Sequence, residues 1–129
     1  MVEVHGWITL RETYRAVEDE DMERVLDMVE REIRRLTRPA IQIKVNNGAY
    51  YMEFSLYTNH LSGDVKQLLA FYENVGRMAQ GSYGLLYMHN DEDDGLCNDF
   101  VVHRLARGQV TIFQDKFLSP LIPTVEDGM

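Results

Sequence analysis

Asp91, Glu92, Asp93 and Asp94 form an unbroken run of four carboxylates closed by Gly95. Such groups either ligate a hard cation or present negative charge to a cationic partner, and the spacing separates the two. Aligning Gly95 with the glycine of an EF-hand loop puts Asn90, Glu92 and Asp94 at the first ligand positions. The closing bidentate glutamate then falls on Val101, an apolar residue, so the pattern departs from a calcium loop. Four adjacent anions repel one another and favour a solvated loop. Clustered charge of this kind also speeds encounter with a basic partner and adds specificity.

The other reactive residue types lack the spacing that chemistry needs. His5, His60, His89 and His103 form no HxH or HxxxH pair, and Cys97 is the only cysteine. No metal box, cysteine-based zinc site or intrachain disulfide follows, and no cofactor is implied. Gly81-Ser82-Tyr83-Gly84 lacks the lysine and the following helix of a phosphate loop. A small enzyme would need paired groups such as Glu53 with His5 or His103 across the sheet. Trp7, Tyr51 and Tyr57 alternate onto the wetter side of their strands and are residue types that anchor interfaces.

The elements that position these residues read clearly. Val2, Val4, Ile8 and Leu10 alternate with Glu3, His5, Trp7 and Thr9, a half-buried strand. Met22, Val25, Leu26, Val29, Ile33 and Leu36 mark one stripe of a helix spanning Glu18 to Leu36, stopped by Pro39. Its start is acidic (Glu18, Asp19, Glu20, Asp21) and its end basic, which suits the helix dipole and also offers Glu18 and Asp19 as a secondary anionic patch. Ile41 to Val45 and Ala49 to Tyr57 form a hairpin about Asn47-Gly48. Ser62 is the expected N-cap of a second helix, Gly63 to Met78. Tyr83 to Met88 is an apolar strand suited to the middle of a sheet, with the acidic run at its tip. Asp99 to Ala106 and Gln109 to Gln114 close a last hairpin at Arg107-Gly108. Pro120 and Pro123 keep the tail extended, and Phe117, Leu118, Leu121 and Ile122 are expected to cover the wetter sheet face.

The resulting order is β-α-β-β-α-β-β-β, an α+β fold with a mostly antiparallel sheet, two helices on one face and a ferredoxin-like start. At 129 residues, without an internal repeat or linker, residues 1–129 form one domain. The net charge of −8 disfavours direct contact with nucleic acid, since no basic stripe offsets it. No apolar run reaches membrane-spanning length and the N-terminus has no signal-peptide pattern, so a soluble cytoplasmic protein is expected.

Several segments together resemble immunity protein family seven of bacterial polymorphic toxin systems. They are His5-Gly6-Trp7, the stretch Gly81-Ser82-Tyr83-Gly84-Leu85-Leu86-Tyr87, the acidic loop after it, and the tail from Asp115 to Asp127. The tail and the Gly81–Tyr87 stretch are the most specific. The resemblance implies a non-enzymatic α+β inhibitor, retained in the cytoplasm, whose partner is a cognate toxin domain. Many such toxins are nucleases with cationic clefts, which an acidic protein can occupy or abut. On this reading the candidate contacts are Asp91, Glu92, Asp93 and Asp94 first, then Trp7, Tyr51 and Tyr57, then Glu18 and Asp19. The alternative is a small-molecule-binding regulatory domain of ferredoxin-like build.

Overall fold

The computed structural model of the chain describes residues 1–14, 21–118 and 120. Eight elements follow in the order β1 (Val2–Leu10), α1 (Met22–Ile33), β2 (Ala40–Asn46), β3 (Ala49–Thr58), α2 (Gly63–Met78), β4 (Tyr83–Asn90), β5 (Val101–Ala106) and β6 (Gln109–Gln114). All strand pairs are antiparallel, and the six strands lie in the order β2-β3-β1-β4-β5-β6. The first four strands reproduce the split β-α-β arrangement of a ferredoxin-like sheet. The last hairpin extends it beyond β4, which makes β1 and β4 the two central strands.

Alternation in β1 sets the two faces. Val2, Val4, Ile8 and Leu10 are buried in one cluster with Val25 and Val29 of α1 and Val65, Leu68, Tyr72 and Val75 of α2. Each fully buried side chain of this size contributes about 1.5–3 kcal/mol relative to exposure. Both helices therefore cover the same sheet face, and the odd-numbered positions of β1 lie on the other, which no helix or strand of the described residues covers.

Helix α1 starts later than the expected Glu18 and ends before Leu36, the last residue of the apolar stripe. Asp21 is its N-cap, accepting from the Arg24 amide at 3.1 Å, so Met22 is the first helical residue. Glu18, Asp19 and Glu20 lie outside the described residues. After Ile33 the backbone tightens into i→i+3 bonds, Arg35 N to Glu32 O and Leu36 N to Ile33 O. Leu36 still packs on the core, but from this turn, which is why its spacing looked helical. Ser62 occupies the N-cap position of α2, yet its hydroxyl makes no capping bond.

The two hairpins share one turn geometry. Asn47 and Gly48 have φ of 52° and 77°, and Arg107 and Gly108 have 50° and 77°. Two consecutive positive φ angles define the primed turn whose twist matches antiparallel strands. The first hairpin keeps the expected faces, with Ile41 opposite Phe54, Ile43 opposite Met52 and Val45 opposite Tyr50. Strand β4 runs two residues beyond Met88, and β5 begins at Val101, leaving residues 91–100 as the loop between them. In the tail, Phe117 and Leu118 are exposed. Leu121, Ile122 and Pro123 lie outside the described residues.

The stretch Gly81–Tyr87 is a stitch between the central strands. Ser82, fully buried, accepts from the Arg11 amide at 3.1 Å and donates to the Arg11 carbonyl at 3.3 Å. Gly84 lies opposite Ile8, where the backbone of β1 comes so close that a Cβ would meet the Trp7 carbonyl oxygen and Ile8 Cα. These positions serve strand packing and leave the far end of β4 to carry the acidic loop.

Candidate functional site

The acidic loop leaves β4 beside the start of β1, because Val2 pairs with Asn90. This register brings the chain's own first residue onto the carboxylate run. The Met1 ammonium donates to Asp91 Oδ1 at 2.5 Å and lies 3.8 Å from Glu92 Oε1. Glu92 Oε1 also lies 2.6 Å from His60 Nδ1, from the segment between β3 and α2. The ammonium bonded to Asp91 holds that carboxyl below the usual carboxylate range.

Side-chain acceptors also shape the loop backbone. Asn90 Oδ1 accepts from the Glu92 amide at 3.0 Å, and Asp93 Oδ1 accepts from Gly95 and Leu96 at 2.9 and 3.0 Å. Of the would-be calcium ligands, Asn90 Oδ1 is turned onto a backbone amide and Glu92 Oε1 onto His60. Among the described residues, no group of three or more His, Cys, Asp or Glu is arranged to hold a metal. The four carboxylates are thus unequal. Asp91 and Glu92 are partly compensated by local cationic or ring-nitrogen partners, Asp93 braces a turn, and Asp94 makes no interaction among the described residues.

The far side of the loop is pinned to the uncovered sheet face. Phe100 packs edge-on against the rings of Tyr87 and His89, with centroids 5.7 and 6.1 Å away. His89 Nε2 donates to the Cys97 carbonyl at 2.7 Å, and Gln114 Nε2 donates to Asp99 at 2.7 Å. Cys97 is half-buried and free. An anionic loop anchored at both ends in this way presents its carboxylates in a defined direction.

Register arranges the uncovered face in rows. From the acidic end these are Tyr57-Glu3-His89, Ser55-His5-Tyr87, Glu53-Trp7-Leu85 and Tyr51-Thr9-Tyr83. The six steps along the strand from Glu3 to Thr9 make this surface about 20 Å long. Trp7 is half exposed and meets Tyr83 edge-on at 6.1 Å, while Tyr57 meets His5 edge-on at 5.4 Å. Trp7, Tyr51 and Tyr57 therefore share one face with one another, and Tyr57 lies in the row nearest the acidic loop. A shallow groove lined by His5, Gly6, Trp7, Glu53, Phe54 and Tyr87 crosses its middle.

The acid–base pairs suggested by the strand pattern do not assemble. Glu53 is ion-paired with Lys44 at 3.1 Å, and His103 is buried on the opposite face beneath α2. Burial pushes the His103 imidazole below its ordinary pKa, partly offset by the charge of Glu73. A different cluster forms instead. Glu3 lies 3.3 Å from His5 Nε2 and 3.5 Å from His89 Nδ1, and Tyr57 Oη lies 3.4 Å from His5 Nε2. Glu3 and His5 were visible as strand neighbours, but His89 joins them only through the β1–β4 register. Glu18 and Asp19, the secondary anionic patch, lie outside the described residues.

Residues 1–127 match the family model described as Immunity protein 7. No curated protein and no solved structure matches the chain.

Proposed function

The chain belongs to the immunity protein 7 family, and we propose that it binds and neutralises the toxin domain of a bacterial polymorphic toxin system, by contact alone and without chemistry of its own. The observation that carries this reading is the anchored carboxylate loop adjoining an aromatic sheet face. Charge on the loop guides encounter with a cationic surface. Exposed aromatic side chains beside it supply the area and the rigid contacts that hold a complex together. A specific interface buries about 800 Å² on each partner; the loop and the 20 Å face together offer a surface on that scale.

The toxin is, in this proposal, a nuclease. Its substrate cleft has to be cationic to hold phosphates, and four carboxylates on a fixed loop imitate that charge. Asp93 and Asp94 make the direct ion pairs, Asp91 and Glu92 add field, and Trp7, Tyr51 and Tyr57 pack against the toxin beside the cleft. The inhibitor acts in the cytoplasm of the cell it protects, and no helix of the described chain is long and apolar enough to cross a membrane.

Co-expression with the toxin encoded beside it tests the proposal through growth. Arrest by the toxin alone, relieved by the intact chain and less well by a chain with Asp91, Glu92, Asp93 and Asp94 all neutralised, is the expected result. Arrest that the intact chain does not relieve refutes the cognate pairing. Full relief by the neutralised chain removes the loop from the interface.

A further inference from the structure

Strand β6 is an outer edge of the sheet, unguarded among the described residues. Gln109-Val110-Thr111-Ile112-Phe113-Gln114 contains no charge and no proline. Ile112 is 62% exposed and Phe113 45%. Among the described residues no strand lies outside it. Edge strands carry a row of unpaired N–H and C=O groups, and proteins usually blunt them with lysine, proline, bulges or cover. The opposite edge obeys that rule, since Pro39 precedes β2 and Lys44 sits on it, paired with Glu53. Among the described residues nothing comparable protects β6.

We propose that β6 pairs with the β6 strand of a second copy of this chain, antiparallel about a two-fold axis through Thr111, so that two six-stranded sheets become one. Hairpin geometry sets the register. A two-residue turn closes on a hydrogen-bonded pair, here Ala106 and Gln109, and bonding alternates from there. The backbone groups of Gln109, Thr111 and Phe113 therefore point to β5, in step with the Asp115 amide, which bonds inward to the Phe100 carbonyl at 3.0 Å. Those of Val110, Ile112 and Gln114 point outward. With Thr111 on the axis, Val110 faces Ile112 of the second copy, Gln114 faces Gly108, and every outward group finds a partner.

Side chains agree with this register. Thr111 meets its own counterpart and β-branched Val110 and Ile112 meet on one face, both favourable cross-strand pairs, while Gln109 meets Phe113 on the other. Beyond the strand ends, Arg107 of one copy comes opposite Asp115 of the other, and the symmetry repeats the pair at the far end. A slip of two residues sets Arg107 against Phe117 or Phe113 and forfeits both ion pairs. The net charge of −8 does not oppose the joint locally. Arg77, Arg104, Arg107 and Lys116 lie around β6 with Glu73, Asp99 and Asp115, which leaves that edge without an acidic excess.

Sedimentation equilibrium of the chain alone over a concentration series reads the mass, which is expected to rise towards twice 15.0 kDa. Thr111→Lys sets like charges face to face on the axis from an exposed position and is expected to hold the chain monomeric with an unchanged circular dichroism spectrum. Should that variant fail to fold, Ile112→Lys serves the same purpose. Arg107→Asp and Asp115→Arg each weaken association about tenfold through the two symmetric pairs, and the double variant restores it. A monomer at every concentration overturns the pairing, as does a dimer indifferent to Thr111→Lys. An edge occupied by the chain's own C-terminal residues, or kept for the toxin, gives the first of these results. No toxin is present in the measurement, so its outcome is independent of the inhibitor reading.

Discussion

Replacing Gly84 by alanine tests whether the acidic loop hangs on the close approach of β1 and β4. A Cβ at Gly84 would stand 3.0 Å from Ile8 Cα and closer still to the Trp7 carbonyl oxygen. Both obstacles are backbone in the neighbouring central strand, so no rotamer change relieves them. Overpacking a core where side chains can shift costs about 1–3 kcal/mol. Here the strand itself has to move, and each ladder hydrogen bond lost adds about 1 kcal/mol. Stiffening the unfolded chain returns at most about 1 kcal/mol. The net loss is about 2–4 kcal/mol, a large fraction of the 5–15 kcal/mol typical of a domain. Gly76 in α2 is the control. There the obstacle is Leu105 Cδ1, the far end of a flexible side chain, and alanine gains about 1 kcal/mol of helix propensity. Gly76→Ala is therefore expected to fall within about 1 kcal/mol of the parent. Urea unfolding followed by circular dichroism, with equal m values, gives both numbers. A Gly84→Ala chain as stable as Gly76→Ala refutes the claim that backbone contact sets the strand spacing.

Three further outcomes follow from the same geometry. The Tyr72 hydroxyl, fully buried, donates to the His103 carbonyl at 2.8 Å, and Tyr72→Phe is expected to lose about 1–2 kcal/mol in the same urea assay. Burial raises the Tyr72 pKa well above its ordinary value of 10.0, against a weaker opposing effect of a backbone hydrogen bond with Leu105. The unfolded chain releases that proton first, so stability is full below about pH 10 and falls above it, a fall that Tyr72→Phe removes in an alkaline titration of the unfolding midpoint. His103 has the opposite sign. Its lowered folded pKa means the unfolded chain binds the proton first, so its contribution is present above about pH 6.5 and is lost below, and His103→Gln flattens that acid limb. At the loop, Asp93→Asn with Asp94→Asn and Asp91→Asn with Glu92→Gln remove equal charge. Stopped-flow association with the toxin should slow about equally, several-fold at low salt, whereas dissociation should quicken mainly for Asp93 and Asp94, whose pairs are made with the partner. Equal off-rates would contradict the division of roles among the four carboxylates.

Much of this fold is local and therefore legible in the chain. Period-two alternation marked β1 and β3, the Asn47-Gly48 and Arg107-Gly108 turns fixed both hairpins, and helical spacing found α1 and α2, because each signal lies within one element or one turn. The helix ends were less legible. An apolar residue such as Leu36 reaches the core equally well from a tight turn, and composition does not distinguish the two. The carboxylate run and the aromatic positions Trp7, Tyr51 and Tyr57 were also plain as residue types on definite strand faces.

What those residues meet was decided by pairing across long separations. Register between β1 and β4 sets Met1 on Asp91 and Glu92, and Glu3 beside His89, contacts between residues some ninety positions apart in the case of Met1 and Asp91. Pairing of β2 with β3 likewise sets Lys44 on the Glu53 carboxylate, in place of a histidine. Sequence alone determined which residues lie on each strand face and that negative charge gathers at one loop, since both depend on neighbours along the chain. Which carboxylates meet the chain's own groups, and which strands form the edges of the sheet, only the tertiary structure decided, because each follows from how distant strands align.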